Sequence, residues 1–146
     1  MIPRPHQIEG AIWALETVRK YGLAYLSWQE RTGKTLTALT AVEYSLAETC
    51  LIVTKKKAIE GWEDTLKEWK HQTKFEIINY ESLHKVKGCF DFIVLDESHH
   101  AISSVGRPSK TWKVLAPLCN RKPILYLSAT PYAEHLGLIV HLLSFS

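Results

Sequence analysis

Cysteine is scarce in this chain of 146 residues, and its three copies, Cys50, Cys89 and Cys119, are scattered. That excludes a disulfide framework and offers no zinc-ligand spacing, so each reads as a small packing residue in a reducing compartment. No apolar run reaches membrane-spanning length, and no charged-then-apolar leader opens the chain. Neither a membrane span nor secretion is therefore expected. Glycine and proline are few, at seven and six, and repeats, linkers and low-complexity tracts are missing. One ordinary globular domain over 1–146 follows, long enough to bury roughly 70% of its unfolded surface. The net charge of +3 suits a nucleic-acid partner without requiring one. Composition alone gives no function.

The order of elements says more. In "IPRPHQIEGAIWALETVRKYG", Ile8, Ala11, Ile12, Leu15 and Val18 recur at helical spacing, Pro5 suits a first turn, and Gly22 closes the element. Strand-like runs follow: "LAYLSW", "CLIVT", "FEIINY", "DFIVLD" and "ILYLSA". They are apolar throughout rather than alternating, as parallel strands covered on both faces are. Between them lie helical patterns, one over 58–70 with Ile59, Trp62, Leu66 and Trp69 on one face, and one carrying Trp112, Leu115 and Leu118. These tryptophans read as packing rather than as base-stacking platforms. Alternating strands and helices predict an α/β fold with a mainly parallel sheet and helices on both faces.

In open sheets of this kind, ligands bind at the carboxyl ends of the strands. Those ends read "SWQERTGKT", "TKKK", "NYES", "DESHH" and "SATP". The first, between an apolar strand and a helix opening on Lys34 and Thr35, has the makings of a phosphate-binding loop. Unpaired backbone N–H groups and the positive helix end favour an anion there. Lys34 would reach the outer phosphates and the Thr35 hydroxyl would ligate Mg²⁺. The usual first glycine is missing, its place held by Trp28, and Gly-Lys-Thr could equally be a turn with no ligand. The fourth, "FDFIVLDESHH", ends an apolar strand in two adjacent carboxylates. Asp96 can hold Mg²⁺ through water, and Glu97 can orient and deprotonate a water attacking a γ-phosphate. The alternative is a helix N-cap. Shared metal ligation by His99 and His100 is disfavoured, because neighbouring side chains in an extended segment point apart.

Taken in order, "PRPHQIEGA", "ERTGKT", "LIVTKKKAIEGW", "INYESL", "IVLDESHH" and "LSATP" resemble the successive motifs of a superfamily 2 helicase, first RecA-like lobe. Within that superfamily the SWI/SNF-type DNA-dependent ATPases and their phage and bacterial relatives are the nearest in pattern. The resemblance runs from residue 3 to about 143. It implies a single RecA-like P-loop NTPase lobe that binds ATP and Mg²⁺ and hydrolyses ATP to move along or remodel DNA, or RNA. Gln7 matches the glutamine that reads the adenine edge, with Arg4 beside it. Thr32, Gly33, Lys34 and Thr35 match the phosphate and metal loop, and Asp96 and Glu97 the acidic pair. His99 matches the coupling histidine, and Ser128, Ala129 and Thr130 the segment that transmits hydrolysis to the nucleic-acid side. Lys56 matches a lysine facing the nucleic-acid backbone, although a lysine run is also an ordinary solvated loop.

The chain departs from that pattern in places. Arg31 stands where a glycine commonly precedes "TGKT", and Glu30 puts an acid near the expected phosphates. No second strand-rich half follows "SATP", so the partner lobe that supplies arginine fingers, worth ~10³–10⁵ in rate, is absent. The isolated lobe is expected to bind nucleotide weakly and turn over negligibly. A degenerate, non-catalytic lobe that binds DNA or protein is the alternative. A small phosphotransferase would need an arginine-rich lid, which the sequence lacks. The implied compartment is the cytoplasm of a bacterial or phage-infected cell, or the nucleus.

Overall fold

Pro5, whose ring pre-sets the helical φ and whose missing N–H has no partner to lose, opens helix α1 (Pro5–Tyr21). Gly22 ends it at φ 82°, a left-handed conformation in which its N–H caps the Val18 carbonyl at 2.7 Å. A computed structural model describes residues 3–27, 31–96 and 122–128 of the chain. Beyond α1 it contains β1 (Leu23–Ser27), α2 (Arg31–Tyr44), β2 (Thr49–Thr54), α3 (Ile59–Glu68), β3 (Lys74–Asn79), β4 (Phe92–Asp96) and β5 (Ile124–Ser128). Short 3-10 helices cover Lys56–Ala58 and Tyr80–Lys85. The expected helix around Trp112 and the apolar stretch after "SATP" lie outside the described residues.

The five strands form one parallel sheet in the order β1-β5-β4-β2-β3. Their apolar runs serve two cores at once. Cys50 and Ile52 point into a cluster with Ala24, Val94 and Leu125, whereas Leu51 and Val53 join Ile93, Leu95 and Tyr126 on the other face. This is the burial on both sides that a non-alternating strand implies. Helices α1, α2 and α3 all cover the first face, through Ala11, Leu39 and Trp62 among others. Of the described elements, the 3-10 helix Tyr80–Lys85 covers the second face, with Tyr80 and Leu83.

Helix α1 departs from the expected stripe at one position. Ile12 is 43% exposed, and the inner face is built from Ala11, Ala14, Leu15 and Val18. Fully buried Ala11 and Ala14 meet an equally small-residue face on α2, Ala38 and Ala41, so the two helices pack closely. Thr37 and Thr40 are buried within α2, and each hydroxyl donates to the carbonyl four residues back. They are thereby satisfied without any ligand.

Candidate nucleotide site at the carboxyl edge

All five strands run the same way, so Ser27, Thr54, Asn79, Asp96 and Ser128 end on one edge of the sheet. Register fixes their order. Ser27 pairs with Ser128, Asp96 with Leu127, and Thr54 with Asn79. Strand β5 thus lies between β1 and β4, and the backbones of Ser27 and Asp96 are about 10 Å apart, two strand spacings. Helix α2 follows the end of β1 and places Leu36 in the core cluster that also holds Leu125 and Leu127.

Helix α2 begins at Arg31, three residues before Lys34. The glycine pattern predicted an opening at Lys34 and Thr35. Arginine favours helix where glycine would resist it, which accounts for the longer first turn. Within the helix, the N–H groups without intrahelical partners are those of Arg31, Thr32 and Gly33. Arg31 therefore takes an ordinary helical backbone, and Leu46 is the non-glycine residue with positive φ among the described residues. Gly33 is buried, Thr35 is half-buried, and Thr32 and Lys34 are placed by their backbone in this same turn.

Asp96 is the best-defined side chain of this edge. It is 4% exposed, and its Oδ2 accepts hydrogen bonds from the Thr54 hydroxyl at 2.8 Å and the Trp62 indole N–H at 3.0 Å. Its backbone carbonyl accepts from the Tyr80 hydroxyl at 2.9 Å. Three elements therefore grip one residue, from both faces of the sheet. Sequence reasoning had read Trp62 as packing alone. It is packed, at 2% exposure, but a buried indole N–H also needs an acceptor, and that rule was the available signal for a polar role.

Gln7 is 6% exposed, and its Oε1 accepts from the Arg4 N–H at 2.7 Å, which closes the start of α1. From Gly22 the helix runs back ~22 Å to Gln7, against ~16 Å for β1. Gln7 and Arg4 thereby stand at the carboxyl edge, beside the opening of α2. Arg4 is exposed. Lys56 is exposed in the 3-10 turn directly after β2, with a carboxylate, Glu81, close enough to feel its charge. The Asn79 amide first, then its own backbone N–H and least of all Lys56, hold Glu81 below the usual glutamate range. Ser128 is placed by its backbone at the end of β5. Glu97, His99, Ala129 and Thr130 lie outside the described residues.

An open depression lined by Leu15, Arg19, Phe92 and Lys122 lies at the opposite, amino edge. It is far from these groups and takes no part in the site. Among the described residues no set of three or more His, Cys, Asp or Glu could cage a metal, and no helix is long and apolar enough to cross a membrane.

A five-stranded parallel sheet with a helix following the β1 end and an acidic tip on β4 defines a RecA-like α/β lobe. Residues 70–133 match the family model described as type III restriction enzyme, res subunit. The Sulfolobus solfataricus SWI2/SNF2 ATPase core domain is similar in fold, with a TM-score of 0.63 at 16% identity. That match covers 87% of this chain and 31% of the other, so the chain spans about a third of its structural relative.

Proposed function

We propose that this lobe is the ATP-binding half of a superfamily 2, nucleic-acid-dependent ATPase, a helicase or DNA translocase. The observation that carries the reading is Asp96, held at the tip of β4 two strands away from the β1 end that α2 follows. The N–H groups of Arg31, Thr32 and Gly33 and the positive helix end suit a triphosphate, and Lys34 supplies a cation for its outer phosphates. Gln7 keeps its amide N–H₂ as a donor toward an adenine edge while Oε1 caps α1. Glu97 orients and deprotonates the attacking water. His99, Ser128, Ala129 and Thr130 link hydrolysis to the track, and Lys56 meets its phosphate backbone.

The donor set fits Mg²⁺. Magnesium takes hard oxygen ligands, one or two carboxylates completed by water and substrate phosphates, rather than an all-protein cage. Asp96 and Thr35 are such ligands, and the lack of a larger acidic cluster among the described residues agrees with that economy. When bound, the ion neutralises charge on the β- and γ-phosphates.

Titration of a fluorescent ATP analogue with Mg²⁺ tests the reading. Lys34→Ala is expected to weaken binding by about tenfold or more, the loss of one charged phosphate contact. With the partner lobe restored in a longer chain, turnover is expected to become DNA-dependent, while the 146-residue chain alone turns over negligibly. Equal analogue binding by wild type and variant would favour a non-catalytic lobe instead, the reading that Glu30 and Arg31 beside the site support.

A further inference from the structure

Asp96 accepts two side-chain donors on the same oxygen, and both come from the segment that surrounds the exposed lysine turn. Thr54 is the last residue of β2, Lys55–Lys57 follow, and Trp62 lies in the first half of α3. Thr54 is fully buried and Trp62 nearly so, which keeps water from replacing either bond. One hydrogen bond to a carboxylate leaves rotation about its Cβ–Cγ axis open. Two donors converging on Oδ2 at 2.8 and 3.0 Å, from a hydroxyl and a rigid indole, fix the carboxylate plane and thereby the direction of Oδ1. The Tyr80 hydroxyl on the Asp96 carbonyl fixes the backbone that carries it.

We infer that Thr54 and Trp62 are positioning residues for Asp96, which set the orientation of its carboxylate toward a nucleotide-bound divalent cation. The inference rests on the proposed ATP site and deepens it. Partners that orient a metal-binding carboxylate typically change metal affinity by 10–100-fold when removed. Core packing alone would explain a buried Trp62. It does not explain why the indole and the Thr54 hydroxyl meet on a single oxygen of the one acidic residue that tips the central strand.

The test separates orientation from packing. Thr54→Val removes a donor at nearly the same volume, Trp62→Phe removes the indole donor and keeps a smaller aromatic ring, and Thr54→Ser keeps the hydroxyl. Binding of the fluorescent ATP analogue is followed by anisotropy in EDTA and across a Mg²⁺ series on the 146-residue chain. Expected is a Mg²⁺ half-saturation raised roughly 10-fold or more in Thr54→Val and Trp62→Phe. Affinity in EDTA should be unchanged, and Thr54→Ser should follow wild type. Unchanged half-saturation in both donor-deleted variants overturns the inference, as does an equal loss in EDTA and in Mg²⁺, which would mark a purely structural role. Wild-type binding with no Mg²⁺ dependence at all would overturn the ATP-site reading itself, and the inference with it.

Discussion

At the scale of single residues, the carboxyl edge is organised around one buried acid, Asp96, gripped from both faces of the sheet. Thr54 and Trp62 donate to its carboxylate and Tyr80 to its carbonyl, so the side chain is held in one place at the strand tip. The same sheet provides a sensitive report on its own integrity. Cys50 lies fully buried on β2 between Phe75 and Phe92, and burial pushes its thiol well above the ordinary cysteine range. Cys89 is exposed. Iodoacetamide at pH 8 is expected to modify Cys89 in the native chain and Cys50 only after unfolding, because the thiolate is the reactive form. Peptide mapping by mass spectrometry checks this. Native modification of Cys50 at the Cys89 rate would mean that the β2 core is open. The same protection serves as a folding control for Thr54→Val and Trp62→Phe.

At the scale of elements, α2 is tied down at its C-terminal end. Its last turn carries Glu43, whose Oε1 accepts from the Thr73 N–H at 2.8 Å and from Gln72 at 3.1 Å, tying the helix to the turn before β3. Desolvation raises the pKa of this carboxyl, but the Thr73 and Gln72 bonds and the nearby His71 charge outweigh it, and the net displacement is below 4.5. A depressed folded value means stabilisation that is complete above 4.5 and lost as pH falls through the folded value. Glu43→Gln is therefore expected to cost about 1 kcal/mol at pH 7, a low figure because the carboxylate stays largely in water. The gap to wild type should narrow steadily below pH 4.5. Urea midpoints at pH 7 and pH 3.5 measure it, and a gap that stays constant with pH would contradict the assignment.

The strands and α1 were legible in the sequence because their local signals are strong. Five apolar runs bounded by polar ends became β1–β5, and Pro5 and Gly22 mark the limits of α1. Helix α3 covers 59–68 of the expected 58–70. What stayed hidden depends on register. Asp96 lies 42 residues from Thr54 and 34 from Trp62, so their bonds exist only once β2 and β4 are paired and α3 is laid across them. Gln7 entered the sequence reading only through the resemblance of its motif, and its side-chain bond to the Arg4 N–H was not legible there. The early start of α2 was hidden for the opposite reason. A motif defined by glycines gave more weight to loop than the helix-forming Arg31 allows.

At the scale of the whole molecule, a parallel sheet turns separate segments into one edge: the end of β1 at residue 27, an acid at 96 and a serine at 128 become neighbours. The central claim is that these segments close around one metal–triphosphate, and paramagnetic broadening tests it most directly. Substoichiometric Mn²⁺·ADP is added to the isotopically labelled chain and amide signals are followed by NMR. The amides of Thr32–Thr35, Asp96 and Ser128 are expected to broaden together, while Leu46 and Cys89 at the opposite edge stay sharp. Broadening confined to either the α2 turn or the β4 tip, or spread evenly over both edges, would contradict a shared site.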